Sequence, residues 1–215
     1  MKIKLHLKIF IFIAIFILTR QIEIYGVLML FALVHEIGHM ITGIILGFRP
    51  NSLEILPFGL AVGFESKVED LNCKIINGNI LTLKKIIIAA GGPMINLLFV
   101  LIFLFFDIPF LGINRDIILY SNILIALFNL ISIYPLDGGR IIKGILHIFF
   151  GRRKSYDYIN KISNITIIIL TAICSIGILY IRNISIILIL TYLWYLIIKE
   201  NKKYKNLQLI FNRVN

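Results

Sequence analysis

Six apolar runs follow one another along this chain of 215 residues: Leu5 to Thr19, Ile24 to Phe48, Ile86 to Phe106, Ile117 to Ile133, Ile162 to Ile181 and Ile184 to Ile198. No other feature limits the fold as much. A helix crosses a bilayer in ~20 residues, and in lipid every backbone polar group must be satisfied within the protein. Most runs are long enough; the first and last are short, which limits their tilt or ends them at the interface. The chain is 59% hydrophobic and 15% charged, with mean hydropathy +0.95, which excludes a disordered protein and an ordinary soluble globule. The expected fold is an all-α polytopic membrane protein of about six transmembrane helices. Residues 1–200 read as a single transmembrane domain with its core in 24–140, and 201–215 as a short basic tail.

Charge placement supports this division and orients it. Lys and Arg number 22 against 11 acidic residues, a net charge of +11. With the amino terminus inside, the segments Lys2 to Lys8, Arg49 to Lys85, Arg140 to Lys161 and Lys199 to Arg213 hold 19 of the 22, leaving Arg20, Arg115 and Arg182 outside. Basic residues near span ends resist translocation, so both termini are expected in the cytoplasm of a multi-pass cell-membrane protein. The same count accounts for the excess charge without nucleic acid. Arg152-Arg153-Lys154 reads as a topology signal or an anionic-lipid contact. The first run resembles a signal peptide, but Arg20 to Ile24 offers no small-x-small cleavage site, so an uncleaved span is expected. Cys73 and Cys174 form no metal-ligand or disulfide pattern.

Within the second run stands V-H-E-I-G-H-M, with His35, Glu36 and His39. Residues four apart share one helix face, so both imidazoles can reach one ion while Glu36 flanks it. Two histidines and a neighbouring glutamate suit a zinc ion whose bound water is made acidic, the glutamate taking its proton as the water attacks a carbonyl. The bland alternative is a polar cluster that joins helices or binds a transported proton. Three ionisable side chains within five residues of a span cost several kcal/mol unless paired, metal-bound or beside a wet cavity, which favours the metal.

A catalytic zinc needs a third protein ligand and an open position for water. Asp137 is the leading candidate, in F-N-L-I-S-I-Y-P-L-D-G-G-R at the inner end of the fourth run. Pro135 disfavours helix at Tyr134, and Gly138-Gly139 allows a sharp turn that could aim the carboxylate inward. A turn that merely ends the span is the other reading. The third run brings Gly91-Gly92-Pro93 and Asn96 in from the same side, so the three elements meet in the cytoplasmic third of the membrane.

These residues resemble the site-2 protease family of intramembrane zinc metalloproteases. The resemblance rests on HEIGH in one span, G-G-P-M-I-N-L-L (Gly91 to Leu98) in the next and N-L-I-S-I-Y-P-L-D-G-G (Asn129 to Gly139) in the third, over about half the chain. The branch it is most similar to is that of stage IV sporulation protein FB, without the carboxy-terminal CBS domain common there. The resemblance implies His35, His39 and Asp137 as ligands to one Zn2+ per chain, Glu36 as the base, and Asn96 and Asn129 as polar partners. Those two asparagines otherwise read as interhelical hydrogen bonding. The resemblance also points to a small β-hairpin or re-entrant strand in Ile55 to Phe64, whose free edge pairs with an unwound substrate and where Phe58 and Phe64 are candidate substrate contacts. An interfacial loop is the alternative there.

The implied activity is hydrolysis of a peptide bond in or next to a transmembrane segment near the cytoplasmic face. The implied substrate is a membrane-associated protein, with a membrane-tethered transcription-factor precursor such as a sporulation sigma factor as the branch's example. A regulatory membrane partner is expected because unrestrained proteolysis in a membrane would be harmful; oligomeric state is left open. The alternative from another class is a non-catalytic scaffold or metal-binding protein, which would need the three ligands but not Glu36.

Overall fold

A computed structural model describes residues 2–5, 22–56, 59–64, 76–106, 110, 112–181 and 184–214. The chain forms two compact units, Met1–Leu130 and Ile131–Asn215.

The first unit holds three strands, β1 (Lys2–Leu5), β2 (Pro50–Leu56) and β3 (Gly59–Phe64), and three helices, α1 (Ile22–Ile45), α2 (Ile76–Phe105) and α3 (Arg115–Leu130). The expected hairpin is present, but it starts at Pro50 and belongs to a larger sheet than a hairpin alone. β1 pairs parallel with β2, and β2 pairs antiparallel with β3, so β3 is an edge. Lys2-Ile-Lys-Leu alternates polar and apolar residues, the period of a strand rather than of a span. The first expected span otherwise lies outside the described residues, as does Phe58.

α1 ends at a left-handed Gly47 (φ 89°), where Phe48 N–H donates to the Gly43 carbonyl and Gly47 N–H to that of Ile44. Lys84 reaches the Leu46 carbonyl at 3.2 Å, and Arg115 donates to the Phe103 and Leu104 carbonyls at 2.6 Å each. Cations thus cover the last carbonyls of α1 and α2, where the helix dipole favours them. Phe31, Phe103 and Ile118, one from each helix, form the buried apolar core. α1 and α2 cross where Gly38 faces Gly91: a Cβ on Gly38 would stand 2.6 Å from the Gly91 carbonyl oxygen.

The second unit holds α4 (Asp137–Ile181) and α5 (Ile184–Val214). Gly151, at φ 79° and ψ 171°, breaks α4 into two helical segments just before the basic cluster. Polar contacts join α4 to α5 at seven-residue steps along α4. Tyr204 donates to Asp157 (2.7 Å), Asn164 and Asn201 exchange amide bonds (2.9 and 3.3 Å), and Trp194 donates to Thr171 (3.1 Å). Partner numbers fall on α5 as they rise on α4, so the helices are antiparallel. The basic segment 201–215 continues α5 as helix to Val214.

The solvent this fold expects is lipid. α2 exposes Leu83, Ile87, Met94, Leu97, Leu101 and Leu104 at helical spacing, while Asn96, Asn122 and Ser121 are buried. A water-soluble helix has the reverse pattern. Among the described residues, three helices are long and apolar enough to cross a membrane: Ile24–Ile45, Asn79–Phe105 and Asp137–Gly177. α3, at 16 residues, is short of that length.

Candidate metal centre

His35 and His39 stand one turn apart on α1, 3% and 5% exposed, with their Nε2 atoms 3.1 Å from each other. The far nitrogen of each ring is already engaged. His39 Nδ1 lies 2.7 Å from the Ile88 carbonyl of α2. A carbonyl only accepts, so the proton is on Nδ1. Gly92 N also lies 3.2 Å from that nitrogen, but the contact is a hydrogen bond only in the other tautomer, and the shorter contact to a pure acceptor decides. His35 Nδ1 lies 2.6 Å from Asn96 Oδ1 and donates to it. Both Nε2 atoms then carry no proton and turn lone pairs toward one another at 3.1 Å. A cation held by the two would relieve their repulsion. Two nitrogens held ~2.05 Å from a tetrahedral zinc stand ~3.3 Å apart, close to the separation seen.

Room for the ion comes from α2. A Cβ on Gly92 would lie 2.6 Å from His35 Nε2 and closer still to His39 Nε2. A side chain at this position would fill the space against both Nε2 atoms, where an ion held by the two would have to fit. Pro93 follows and has no N–H for the Ala89 carbonyl one turn back. The glycine that packs the two helices together is Gly91, against Gly38 and Thr42, whereas Gly92 borders the two histidine Nε2 atoms.

The other sequence-derived candidates are placed as follows. Glu36 is half-buried on α1, next to His35. Asn96 is fully buried and bonds His35 directly. Asn129 donates to the Ile125 carbonyl of its own helix at 3.1 Å. The Phe64 ring packs on Gly43, with its centroid 6.2 Å from that of Phe48, and so ties β3 to α1. Asn122 was missed: fully buried on α3, it accepts from Asn96 Nδ2 at 2.8 Å. Its signal was one more amide in an apolar run.

In the second unit, Asp137 opens α4 after the turn at Tyr134-Pro135, a cis peptide. Tyr134 N–H donates to Ser163 Oγ (3.0 Å) and Leu136 N–H to the Ile133 carbonyl (2.8 Å). Gly139 admits the close turn, since a Cβ there would stand 2.5 Å from the Ile133 carbonyl. Asp137 is 4% exposed, with Arg140 3.5 Å away on the next turn. Among the described residues, His35, His39 and Asp137 are the only buried side chains of the types that ligate zinc.

No family model matches the chain. It is 27% identical over 168 residues to a zinc metalloprotease of Methanocaldococcus jannaschii, covering 71% of this chain and 45% of that protein. It is 25% identical over 144 residues to stage IV sporulation protein FB of Bacillus subtilis, covering 66% of this chain and 46% of that one. The chain thus spans less than half the length of these curated relatives. Its fold matches that of the site-2 protease from M. jannaschii with a TM-score of 0.65 at 23% identity, over 92% of this chain and 89% of that one. In sequence and in fold, the chain is similar to the site-2 protease family, as its motifs indicate.

Proposed function

We propose that this chain is an intramembrane zinc metalloendopeptidase that hydrolyses a peptide bond in or next to a transmembrane segment near the cytoplasmic face. The observation that carries the reading is the pair of buried histidine Nε2 atoms 3.1 Å apart, with Gly92, which has no side chain, against both of them inside an apolar helix pair. Asp137 is the third ligand in this proposal, supported by its burial and residue type, with one ion per chain.

When bound, zinc lowers the pKa of a water toward ~7 and polarises the scissile carbonyl. Glu36, one residue from His35, takes the proton of the attacking water and returns it to the leaving amine. His39 and His35 hold their tautomers through Ile88 and Asn96, so their ligand nitrogens need no rearrangement. The substrate is a membrane-associated protein that unwinds locally, because a helix shields its own carbonyls. The edge place of β3 in its sheet supports pairing of such an unwound segment with this strand through main-chain hydrogen bonds. The likeness to a sporulation protein supports a membrane-tethered transcription-factor precursor, such as a sporulation sigma factor, as substrate. Charge placement supports a multi-pass cell-membrane protein with both termini in the cytoplasm, and a regulatory membrane partner is part of the reading.

The test is zinc per chain, by elemental mass spectrometry, on detergent-purified wild type, Asp137→Ala and Glu36→Gln. About one zinc in wild type and in Glu36→Gln, with much less in Asp137→Ala, is expected, and Glu36→Gln should abolish cleavage of a reconstituted membrane substrate. Zinc-free folded wild type would replace the protease with a scaffold that keeps the fold.

A further inference from the structure

The geometry points to Asn122 as a positioning residue that fixes the tautomer of His35, acting through Asn96, and so sets the affinity of the metal site. The inference rests on the zinc reading above but concerns residues away from the ion.

The Ile118 carbonyl can only accept, and Asn122 Nδ2 lies 2.9 Å from it, one turn along α3. An amide has one donor end and one acceptor end, so giving Nδ2 to Ile118 turns Oδ1 toward α2. There it meets Asn96 Nδ2 at 2.8 Å. Asn96 has then used its donor end, and its Oδ1 faces His35 Nδ1 at 2.6 Å. That oxygen accepts, so the ring proton is on Nδ1 and Nε2 carries none. One backbone carbonyl thus sets the protonated nitrogen of His35 through two amides.

Reversing either amide breaks this order. Turning Asn122 over would set two acceptor oxygens 2.9 Å apart at Ile118 and two NH2 groups 2.8 Å apart at Asn96. Both asparagines are 0% exposed, so bulk water is not there to compensate. Asn96 alone has no such polarity: with an apolar residue at 122 it can turn over and donate Nδ2 to His35 Nδ1. The ring proton then moves to Nε2, the atom the metal needs. His39 is held separately, by the Ile88 carbonyl, and serves as an internal control.

Two substitutions separate this role from simple joining of α2 to α3. Asn122→Leu keeps the approximate size and removes the direction. Asn122→Asp, in its protonated form, restores a donor to Ile118 and an acceptor to Asn96. The readouts are ring nitrogen NMR shifts of 15N-histidine-labelled, metal-free protein, and zinc affinity by chelator competition. The expected result is the Nδ1–H form of His35 in wild type. In Asn122→Leu we expect a mixed His35 tautomer with His39 unchanged, zinc bound ~10- to 100-fold more weakly, and recovery in Asn122→Asp. A folded Asn122→Leu with wild-type tautomer and affinity overturns the proposal. If that variant does not fold, the wild-type spectrum decides, because Nε2–H as the main form of His35 overturns it too. Wild type that shows the Nδ1–H form but takes up no zinc would instead sink the zinc reading and, with it, the claim on affinity.

Discussion

Gly92→Ala tests whether the space between the two histidines is a metal site, because it adds a single carbon and no charge. The added Cβ would stand 2.6 Å from His35 Nε2 and nearer to His39 Nε2. Carbon and nitrogen in ordinary contact are ~3.5 Å apart, so the overlap is close to an ångström. Neither ring can yield freely, since each is tied at Nδ1, to Asn96 and to Ile88. Relief must come from bending those bonds or from moving α2, and overpacking of this kind costs ~1–3 kcal/mol. If the cost falls on the ligand geometry, zinc affinity drops ~5- to 150-fold. The assay is chelator competition on purified protein, with helicity followed by circular dichroism. Gly26→Ala on α1, the helix that carries both histidines, is the control, since nothing lies within 4 Å of its Cβ position. It should leave zinc unchanged and add up to about 1 kcal/mol of helix stability. A folded Gly92→Ala that binds zinc as tightly as wild type would refute the claim that this glycine makes room for the ion.

Three further outcomes are expected. Proline scanned through Ala61 to Phe64 removes edge N–H donors of β3 and should slow cleavage without lowering zinc content; unchanged cleavage would exclude pairing of substrate with this strand. Asn201→Leu breaks the reciprocal amide pair with Asn164 and should lower stability in detergent by about 1 kcal/mol, read from thermal unfolding. Tyr204 is pushed up to about 12, by burial first and then by its hydrogen bond to Asp157. A raised pKa means that the fold prefers the protonated phenol, so this stabilisation is complete below about 10 and is lost as pH rises toward about 12. Tyr204→Phe should abolish that alkaline component of the unfolding profile, and an identical profile in the variant would contradict the assignment.

How much of this was legible in the sequence follows from where each interaction is specified. His35 and His39 were legible because their relation is local: four residues on one helix fix a shared face before any partner is known. Gly91-Gly92 and Asn96 were legible as a group approaching that face, but not in their separate tasks. Whether a glycine meets another helix or a ligand nitrogen depends on helix rotation, and adjacent residues point about 100° apart. β1 was illegible for another reason. Lys2 to Leu5 leads straight into an apolar run, and that run outweighs the two-residue period of so short a segment. The two asparagines of α3 are the sharpest case. Asn122 and Asn129 are seven residues apart, two turns along the same helix, and either could have met Asn96. The family motif put Asn96 and Asn129 near the site and was silent on Asn122; it is Asn122 that takes the bond to Asn96, while Asn129 donates to the Ile125 carbonyl. What chooses between them is axial position, set by the crossing of α2 on α3. Asn96 must then meet an acceptor that is itself oriented from behind, and Asn122 has that orientation from Ile118. A polar residue in an apolar span announces that a partner exists; which partner, and which way its amide faces, is written only in the packing of the helices.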